Sequence, residues 1–239
     1  MVICRVSSYV ELIETFQNIE KCLKSFGIEN YTINNDFSVD IDGDVNLRGE
    51  LTGIGVIPVN FGKVTGTFIC GFNNLKSLKG CPYYVGGSFL VGYNELESLE
   101  HGPQVVMGNY SCHDNLLTSL VGVPKIIGGD FDCSHNRLTS LEGGPEIVNG
   151  EFAVHTNKLQ TLKNFPKVLK NVYIGHNQLT SFEHIQKVID GNFYFDADLL
   201  LTSPDGYFPK VSGQVYGRTS NDEHMIIFPH PLNCKSIGT

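Results

Sequence analysis

The chain has 239 residues and a formal net charge of −8, with 25 acidic and 17 basic side chains. This charge, together with the absence of any lysine or arginine run, argues against a nucleic-acid partner, because phosphate backbones need a basic face. The apolar runs are too short to cross a bilayer, and polar residues follow the first five where a signal peptide would have its apolar core. We therefore expect a cytoplasmic protein without a membrane partner.

The first predicted element is a helix over residues 7–26. Apolar residues recur at helical spacing along one face of this stretch. Ser8 and Glu11 match a capping box, and Gly27 is suited to end the helix. Because repeats follow, we expect segment 1–27 to be an N-terminal capping helix that covers the first coil of a solenoid. The alternative is a helix that binds a partner or a membrane surface.

Segment 28–65 is predicted to hold a hairpin and an irregular first coil. Short β-prone runs on both sides of residues 34–36 predict the hairpin, and residues 43–47 predict an irregular first repeat strand. The acidic residues between Asp36 and Asp44 do not match the spacing of a helix-flanked calcium loop. Their alternation with apolar residues is typical of a half-buried strand.

Segment 66–198 carries the strongest signal, a repeat of regular coils of 20–21 residues. An asparagine recurs at steps of 21, 21, 21, 21 and 20 residues, and Asp198 takes the slot 21 residues further on. The marker asparagines are Asn73, Asn94, Asn115, Asn136, Asn157 and Asn177. A fixed period of this length is typical of a solenoid, in which each coil buries its apolar face on its neighbours.

The residues before the marker asparagine have a constant chemistry. An aromatic residue, usually Phe, stands five residues before it, and a smaller apolar residue stands three before it in most coils. This alternation predicts a short strand with both side chains turned inward, so that stacked strands form a parallel sheet with a ladder of aromatic rings. The asparagine amide should bond backbone groups of its own coil and of the next coil.

The residues after the marker predict a return stroke to the next coil. Leucines stand two and five residues after it in most coils, and a proline that follows them disfavours a helix and predicts extended or 3₁₀ structure. The apolar residues three positions after the proline are predicted to point inward, and they are Val85, Val106, Ile127, Val148 and Leu169. A glycine seven residues before the next marker predicts a positive φ or a close backbone approach.

Units of the form GG-x-F-x-C-S-x-N-x-LTSL-x-G-x-P-x-x-V resemble the leucine-rich-repeat-like proteins of tailed bacteriophages and bacteria. The resemblance covers residues 36–198, and residues 27–45 resemble the leader that precedes such repeats. It implies a β-rich, right-handed, leucine-rich-repeat-like solenoid with a parallel sheet on its concave face and an N-terminal helix cap. This family has no general catalytic motif, so the resemblance implies no catalytic residues.

The C-terminal part departs from the repeat. Segment 199–217 is predicted to be an irregular coil or cap, because residues 209–216 repeat the proline, valine and glycine signature out of phase. Segment 218–239 loses the pattern and is compatible with either an ordered extension or a tail.

Three of the seven cysteines, Cys70, Cys112 and Cys133, stand in an inward column. Cysteine is there a small apolar residue, and we expect unbridged thiols in a reducing cytoplasm. Cys112 and Cys133 are one coil apart, so a disulfide between them is the alternative.

The outward positions of the sheet strands are the candidate binding surface. The core positions are uniform, whereas these vary within the chain, from apolar in the early coils to acidic in the middle and tyrosine late. The candidate partner-binding residues are Ile69, Phe72, Leu90, Tyr93, Ser111, His113, Asp130, Asp132, Glu151, His155, Tyr173 and Tyr194. Aromatic residues beside charges are typical of protein-binding surfaces, although β propensity alone also favours Tyr, Ile and Phe on exposed strands.

A row of histidines, His113, His135, His155 and His176, raises the alternative of a metal site. The row alternates between two columns and lacks the spacing of known zinc motifs, so no metal or cofactor is predicted. Cys112 precedes His113 and Asp114, but the thiol should point inward and the imidazole outward, which separates nucleophile from base.

The sequence therefore predicts a non-enzymatic protein–protein interaction module. With the phage resemblance, the expected partner is a bacterial host protein bound through the concave face, with inhibition of host defence or regulation as the outcome. One alternative is a virion or scaffold protein that self-associates as a homo-oligomer. Another is a metal-binding or small-ligand-binding protein, or an enzyme, that uses the histidine row.

Overall fold

The computed structural model describes residues 9–199, 208–218 and 225–228. Within them one helix precedes twenty strands, and most strands alternate between two parallel sheets that share one core. The chain is therefore a β-rich solenoid, as the repeat predicts. Helix α1 spans Tyr9–Ser25, which confirms the predicted helix. Ser8 of the predicted capping box lies outside the described residues.

The long sheet contains the strands predicted from the aromatic column. Its members are β3 (Val45–Asn46), β5 (Phe68–Ile69), β7 (Phe89–Leu90), β9 (Tyr110–Ser111), β11 (Phe131–Asp132), β13 (Phe152–Ala153), β15 (Val172–Tyr173), β17 (Phe193–Asp196), β19 (Val215–Arg218) and β20 (Met225–Phe228). Neighbouring coils pair in parallel, and only β20 pairs in the antiparallel direction, with β19. The predicted final strand within residues 209–216 is thus present, and β20 adds a strand in the part for which the sequence left two alternatives open.

The return stroke forms a second parallel sheet, the short sheet, where the sequence predicted extended or 3₁₀ structure. Its members are β1 (Tyr31–Ile33), β2 (Val39–Ile41), β4 (Phe61–Val64), β6 (Tyr84–Val85), β8 (Val105–Val106), β10 (Ile126–Ile127), β12 (Ile147–Val148) and β14 (Lys167–Val168). The β-branched residues after each proline are extended and pair with the coils above and below. The paired strands are one coil apart in the sequence, so a local sequence pattern does not predict their pairing.

The predicted hairpin is confirmed, since β1 and β2 pair in the antiparallel direction. Strand β2 then pairs in parallel with β4 and joins the hairpin to the solenoid. Helix α1 packs on this end, because Leu23 is fully buried in the common core and the rings of Phe16 and Phe37 meet edge to face at 5.4 Å. These contacts agree with the predicted cap.

The short sheet ends at β14 because a side chain takes the place of the next strand. The N–H of Val168 donates to Oε1 of Gln186 at 2.9 Å, and Nε2 of Gln186 donates to the carbonyl of Val168 at 3.1 Å. The glutamine amide thus reproduces the bonds that a neighbouring strand would make. Beyond it, β16 (Val188–Ile189) and β18 (Lys210–Val211) pair separately.

One predicted core residue is wrong. Val168, not Leu169, occupies the inward position of its coil, and Leu169 is 41% exposed. This coil is one residue shorter between Pro166 and the inward position, so the spacing inherited from the other coils points to the wrong residue.

The predicted aromatic ladder runs through the core of the long sheet. The rings of Phe68, Phe89, Tyr110, Phe131 and Phe152 follow one another with centroids 5.1 to 5.8 Å apart. All five are fully buried. Among the described residues, the hydroxyl of Tyr110 has no hydrogen-bond partner, so this ladder contains one unpaired polar atom.

The marker asparagines form a second ladder, which bonds the backbone as predicted. In Asn115, Nδ2 donates to the carbonyl of Cys112 at 3.0 Å and to that of Val91 at 3.1 Å, while Oδ1 accepts the N–H of Leu96 at 2.9 Å. The neighbouring coil that each amide reaches is the preceding one, not the next. Asn73, Asn94, Asn136 and Asn157 repeat this arrangement and are buried.

The repeat glycines are explained by close backbone approach, and the predicted positive φ is absent from them. A Cβ atom on Gly87 would lie 2.6 Å from Oγ1 of Thr67 in the coil before, whereas the φ angle of Gly87 is not in the left-handed region. In the regular coils, a positive φ angle instead recurs one residue before the marker asparagine, at residues that are not glycine.

Cys70, Cys81, Cys112 and Cys133 are buried, unbridged thiols. The thiol of Cys112 is hydrogen-bonded with that of Cys133, and burial raises its pKa well above the ordinary value. In the part of the chain that is described, no helix has both the length and the apolar character needed to span a bilayer.

Replacing Asn115 by Ala should lower the free energy of unfolding by about 2–4 kcal/mol. The substitution leaves the buried N–H of Leu96 and the carbonyl of Val91 without their side-chain partner. Urea unfolding followed by circular dichroism measures the loss. Asn149→Ala, at an exposed asparagine, is the matched control and should change stability by less than about 0.5 kcal/mol. Equal effects of the two substitutions would contradict the ladder.

Replacing Tyr110 by Phe should raise the free energy of unfolding by about 1 kcal/mol, because it removes a buried hydroxyl that lacks a partner. The reciprocal change Phe131→Tyr adds such a hydroxyl to the same ladder and should destabilise the protein. The urea midpoints of the two variants should move in opposite directions from the wild type. A lower midpoint for Tyr110→Phe would mean that the hydroxyl is satisfied.

Candidate functional site

The outer face of the long sheet carries the residues predicted to bind a partner. Inward and outward side chains alternate along each strand, so Phe131 is buried while Asp132 is half-buried. Parallel pairing then aligns the outward residues in rows across the coils, with Ile69 beside Leu90, Leu90 beside Ser111 and Tyr173 beside Tyr194. We call this surface the long-sheet face.

A first aromatic cluster lies at the early end of this face. The rings of Phe72 and Tyr93 stack with centroids 4.3 Å apart, and Tyr93 meets His113 edge to face at 4.8 Å. The guanidinium of Arg48 lies over the Phe72 ring, 4.5 Å from its centroid. Nδ1 of His113 is 2.8 Å from Oδ2 of Asp114 and closes the row. Predicted residues that are 21 and 20 positions apart thus form one connected array.

A second cluster, the tyrosine stack, lies at the late end. Tyr173, Tyr194 and Tyr216 stack face to face, and both centroid distances are 4.4 Å. Burial, and then the nearby Glu151 carboxylate, raise the pKa of Tyr173 to about 12. Tyr216 was not among the predicted site residues because the repeat loses its phase after residue 198. The signal that marks it is the repeated proline, valine and glycine signature just before it.

The predicted site residue Asp130 has a structural role in an outer polar column, six residues before each marker. Its Oδ1 accepts the N–H of Glu151 in the next coil at 2.9 Å. The acceptors of this type are Asp44, Thr67, Ser88, Asn109, Asp130, Asn171 and Asn192. Apart from Glu151, these positions of the regular coils hold short side chains with an acceptor oxygen, which is a signal that the sequence contained. At Glu151 the arrangement changes, and Oε1 accepts from Nδ2 of Asn171 at 2.6 Å.

Asp132, at the centre of the face, is held by the local turn. Its Oδ1 accepts both the N–H of Ser134 at 3.0 Å and the hydroxyl of the same serine at 2.7 Å. A charge reversal to Lys would therefore remove two hydrogen bonds together with the charge. The change Asp132→Asn keeps an acceptor oxygen in place, so it isolates the charge.

The residues just before the marker asparagine have a left-handed backbone. Positive φ angles occur at Phe72 (61°), Tyr93 (56°), Asp114 (50°), His135 (53°), Thr156 (55°) and His176 (55°). Glycine adopts this conformation without cost, and Asp and His tolerate it, whereas it is rare for bulky residues such as Phe and Tyr. The early coils therefore place exposed aromatic side chains where the backbone alone would favour glycine.

The histidine row does not converge on one point. His135 and His155 meet edge to face at 5.3 Å, Nδ1 of His155 contacts the hydroxyl of Thr156, and Nε2 of His176 is 3.2 Å from Nη1 of Arg218. Within residues 9–199, 208–218 and 225–228, no group of three His, Cys, Asp or Glu side chains is arranged to hold a metal ion.

The sequence triplet of Cys112, His113 and Asp114 is not assembled as a catalytic group. The thiol of Cys112 is fully buried and is hydrogen-bonded to the thiol of Cys133. The imidazole of His113 lies on the long-sheet face beside Asp114. Nucleophile and base are therefore on opposite sides of the strand.

Comparisons with protein-family models, with curated proteins and with solved structures give no match to this chain.

His155 should make the protein less stable in acid. Burial lowers its pKa below the ordinary value; Asp132 and Asp114 act against this shift, whereas His135 and His176 add to it. The unfolded chain therefore binds the proton more readily, and the contribution of His155 is full above about pH 6.5 and lost as the pH falls through the folded-state pKa. Urea midpoints between pH 7.5 and 5 should fall less steeply for His155→Gln than for the wild type. Parallel pH profiles would contradict this assignment.

Proposed function

We propose that this chain is a non-enzymatic protein-binding module that engages a partner protein through the long-sheet face. The observation that carries the proposal is the pair Phe72 and Tyr93, which are 41% and 47% exposed and have a left-handed backbone. Folding does not need large rings at these positions, and the backbone disfavours them. Binding of another molecule is a reason for them to be there.

The stacking of the rings on the long-sheet face supports a binding role. Phe72 and Tyr93 hold each other at 4.3 Å, and Tyr173, Tyr194 and Tyr216 do so at 4.4 Å. Rings that are already fixed lose little side-chain freedom when a partner covers them, so more of their contact energy appears as affinity. Aromatic residues also provide a large share of the energetic centres of protein interfaces.

The contrast between the two ladders and the face gives further support. The aromatic and asparagine ladders repeat almost unchanged from coil to coil, whereas the outward row changes from Ile69 and Leu90 through Asp132 to Tyr173. A surface that only had to remain solvated would not need this ordered change from apolar to acidic to aromatic. The middle of the face, with Asp132 and Glu151, favours a partner with basic groups opposite it.

The class of partner follows from the sequence resemblance alone. The repeat units resemble leucine-rich-repeat-like proteins of phages and bacteria, and on that ground we propose a bacterial host protein in the bacterial cytoplasm. Binding would then block a defence or regulatory protein. This step is an analogy between repeat sequences, and it is separate from the physical argument for the face.

Self-association is the second candidate, and the outer side of the short sheet favours it. Val105, Met107, Val121 and Ile126 are 39% to 58% exposed and line a shallow cavity of about 710 Å³. Contiguous exposed apolar side chains of this kind mark contact surfaces. A homo-oligomer formed through this side would leave the long-sheet face accessible.

The proposal is tested by capture from bacterial lysate with matched variants. The face variant combines Phe72→Ala, Tyr93→Ala and Tyr173→Ala. The control variant combines Tyr83→Ala, Met107→Ala and Ile126→Ala, which removes exposed side chains from the other sheet. A protein captured by the wild type and by the control, but about tenfold less by the face variant, is the expected result because aromatic contacts dominate interface energy. Equal thermal unfolding of the variants establishes that the fold is retained.

Two other outcomes would overturn this assignment. If the wild type, the face variant and the control variant capture the same protein equally well, the long-sheet face is not the binding surface. Loss of capture by the control variant alone would move the interface to the short sheet. Light scattering of the same proteins at micromolar concentration separates self-association, since only a homo-oligomer formed through the short sheet would dissociate in the control variant.

A further inference from the structure

A cavity of about 250 Å³ lies at the late end of the long-sheet face, above Gly175. Its lining residues are His155, Tyr173, Gly175, His176, Tyr194, Phe195, Asp196, Tyr216 and Arg218. In the outward column two residues before the marker, His155 stands on one side of Gly175 and Asp196 on the other. The missing side chain at Gly175 therefore opens a gap one coil wide between His155 and Asp196.

Packing does not require a glycine at this position. Gly71 and Gly92 belong to the same column, and a Cβ atom there would lie 2.7 Å from the carbonyl oxygen of Gly92 and 2.7 Å from Nε2 of His113, respectively. At Gly175 the nearest atom, Oδ1 of Asp196, would be 3.5 Å away, which is an ordinary contact, and the φ angle is not in the left-handed region. The backbone of the next coil explains Gly71, and the His113 ring occupies the space at Gly92, whereas the space at Gly175 stays open without a structural reason.

The apolar wall of the cavity is the tyrosine stack. Each ring extends toward the residue two positions earlier in the chain, and Gly175 is two positions later than Tyr173. The hydroxyls of Tyr173 and Tyr216 are near Asn171 and Gln214, respectively, and that of Tyr194 bonds Asn192. The hydroxyl groups are thus engaged on the far side, and ring carbon faces the cavity.

The rim of the cavity holds one permanent cation. Arg218 reaches from β19 past β17 to the turn after β15, where Nη1 is 3.2 Å from Nε2 of His176. This is its only side-chain hydrogen bond among the described residues, and it occupies one of the five guanidinium N–H donors. Both oxygens of the Asp196 carboxylate accept backbone hydrogen bonds. Oδ1 accepts the N–H of His176 at 2.7 Å, and Oδ2 accepts the N–H of Asn177 at 3.2 Å.

We propose that this cavity binds a carboxylate group carried on a small aromatic or aliphatic body. The planar fork of the Arg218 guanidinium matches a carboxylate, and two parallel hydrogen bonds can form between them. The body of the ligand then packs against the rings of Tyr173 and Tyr194 in the space that Gly175 leaves open. The site does not depend on the proposed protein-binding function, since a free small acid and a peptide C-terminus present the same chemistry.

Three probes of nearly equal shape test the charge of the ligand. Benzoate, benzamide and benzamidinium are titrated at pH 7.5 and followed by ligand-observed NMR. Benzoate is expected to bind with a Kd on the order of 1 mM, as its size allows, and benzamide about tenfold more weakly, because charge-assisted bonds to Arg218 are lost. Benzamidinium binding as tightly as benzoate, or no benzoate binding up to about tenfold above this Kd, would overturn the proposal.

Two substitutions, each with a control substitution, test whether benzoate binds at this cavity. Gly175→Leu fills the space and should abolish benzoate binding. Gly175→Ala adds a smaller side chain, which fits at this position without a clash. Arg218→Gln should weaken binding about tenfold, whereas Arg137→Gln, which removes the same charge from an exposed turn, should leave it unchanged. Unfolding midpoints of all four variants are measured alongside. Benzoate affinity that is unchanged in Gly175→Leu or in Arg218→Gln would place the binding elsewhere.

The source of the carboxylate is separated by a second pair of probes. A short acetylated peptide that ends in Phe is compared as the free acid and as the amide. Tighter binding of the free-acid peptide than of benzoate identifies a peptide C-terminus as the ligand class. Benzoate binding without any peptide binding identifies a small free acid, and each result retains the carboxylate site.

Discussion

The structure depends on one constraint, which is that each turn after the long-sheet strand must have its backbone groups bonded without a partner strand. Most long-sheet strands of the regular coils are only two residues long, so their strand pairing ends just before the chain bends. The marker asparagine bridges this place, since the amide of Asn115 bonds a carbonyl in its own coil, and a carbonyl and an N–H in the preceding one. The same bonds persist at Asn177, although the step from Asn157 is 20 residues, so they depend on the geometry of the turn and not on the length of the return stroke.

The outer polar column bonds the other end of the strand in the same manner. Asp130 accepts the N–H of Glu151, and similar short acceptors act in most of the coils. Side-chain hydrogen bonds fix both ends of the strand, and the aromatic ladder fixes its inner side. The remaining outward side chains are therefore not needed to hold one coil on the next. These are the positions where the chain varies, from Leu90 to Asp132 to Tyr173. The freedom of the face is therefore a consequence of the two ladders that hold the coil.

The late end of the face differs from the rest because the repeat itself changes there. The marker asparagine at 177 is followed by a coil in which the Asp196 carboxylate bonds the N–H groups of His176 and Asn177. These two bonds hold the Asp196 carboxylate against the backbone. Arg218 lies next to the tyrosine stack and the open position at Gly175. The proposed partner surface and the proposed cavity share Tyr173 and Tyr194, whereas Gly175 and Arg218 belong to the cavity alone.

The sequence by itself determined the coil period, the aromatic and asparagine ladders, the hairpin and the capping helix, since each rests on a periodic pattern or a short local signal. It also identified the rows that carry Phe72, Tyr93, Tyr173 and Tyr194. Only the tertiary structure decided that the return strokes pair into a second sheet, that Val168 replaces Leu169 in the core, and that Asp130 bonds the backbone while Arg218 reaches His176. These features depend on contacts between residues at least a coil apart, and on whether a side chain finds a backbone partner in the neighbouring coil. A repeat pattern fixes which residues are equivalent, whereas the stacking of the coils fixes what each of them touches.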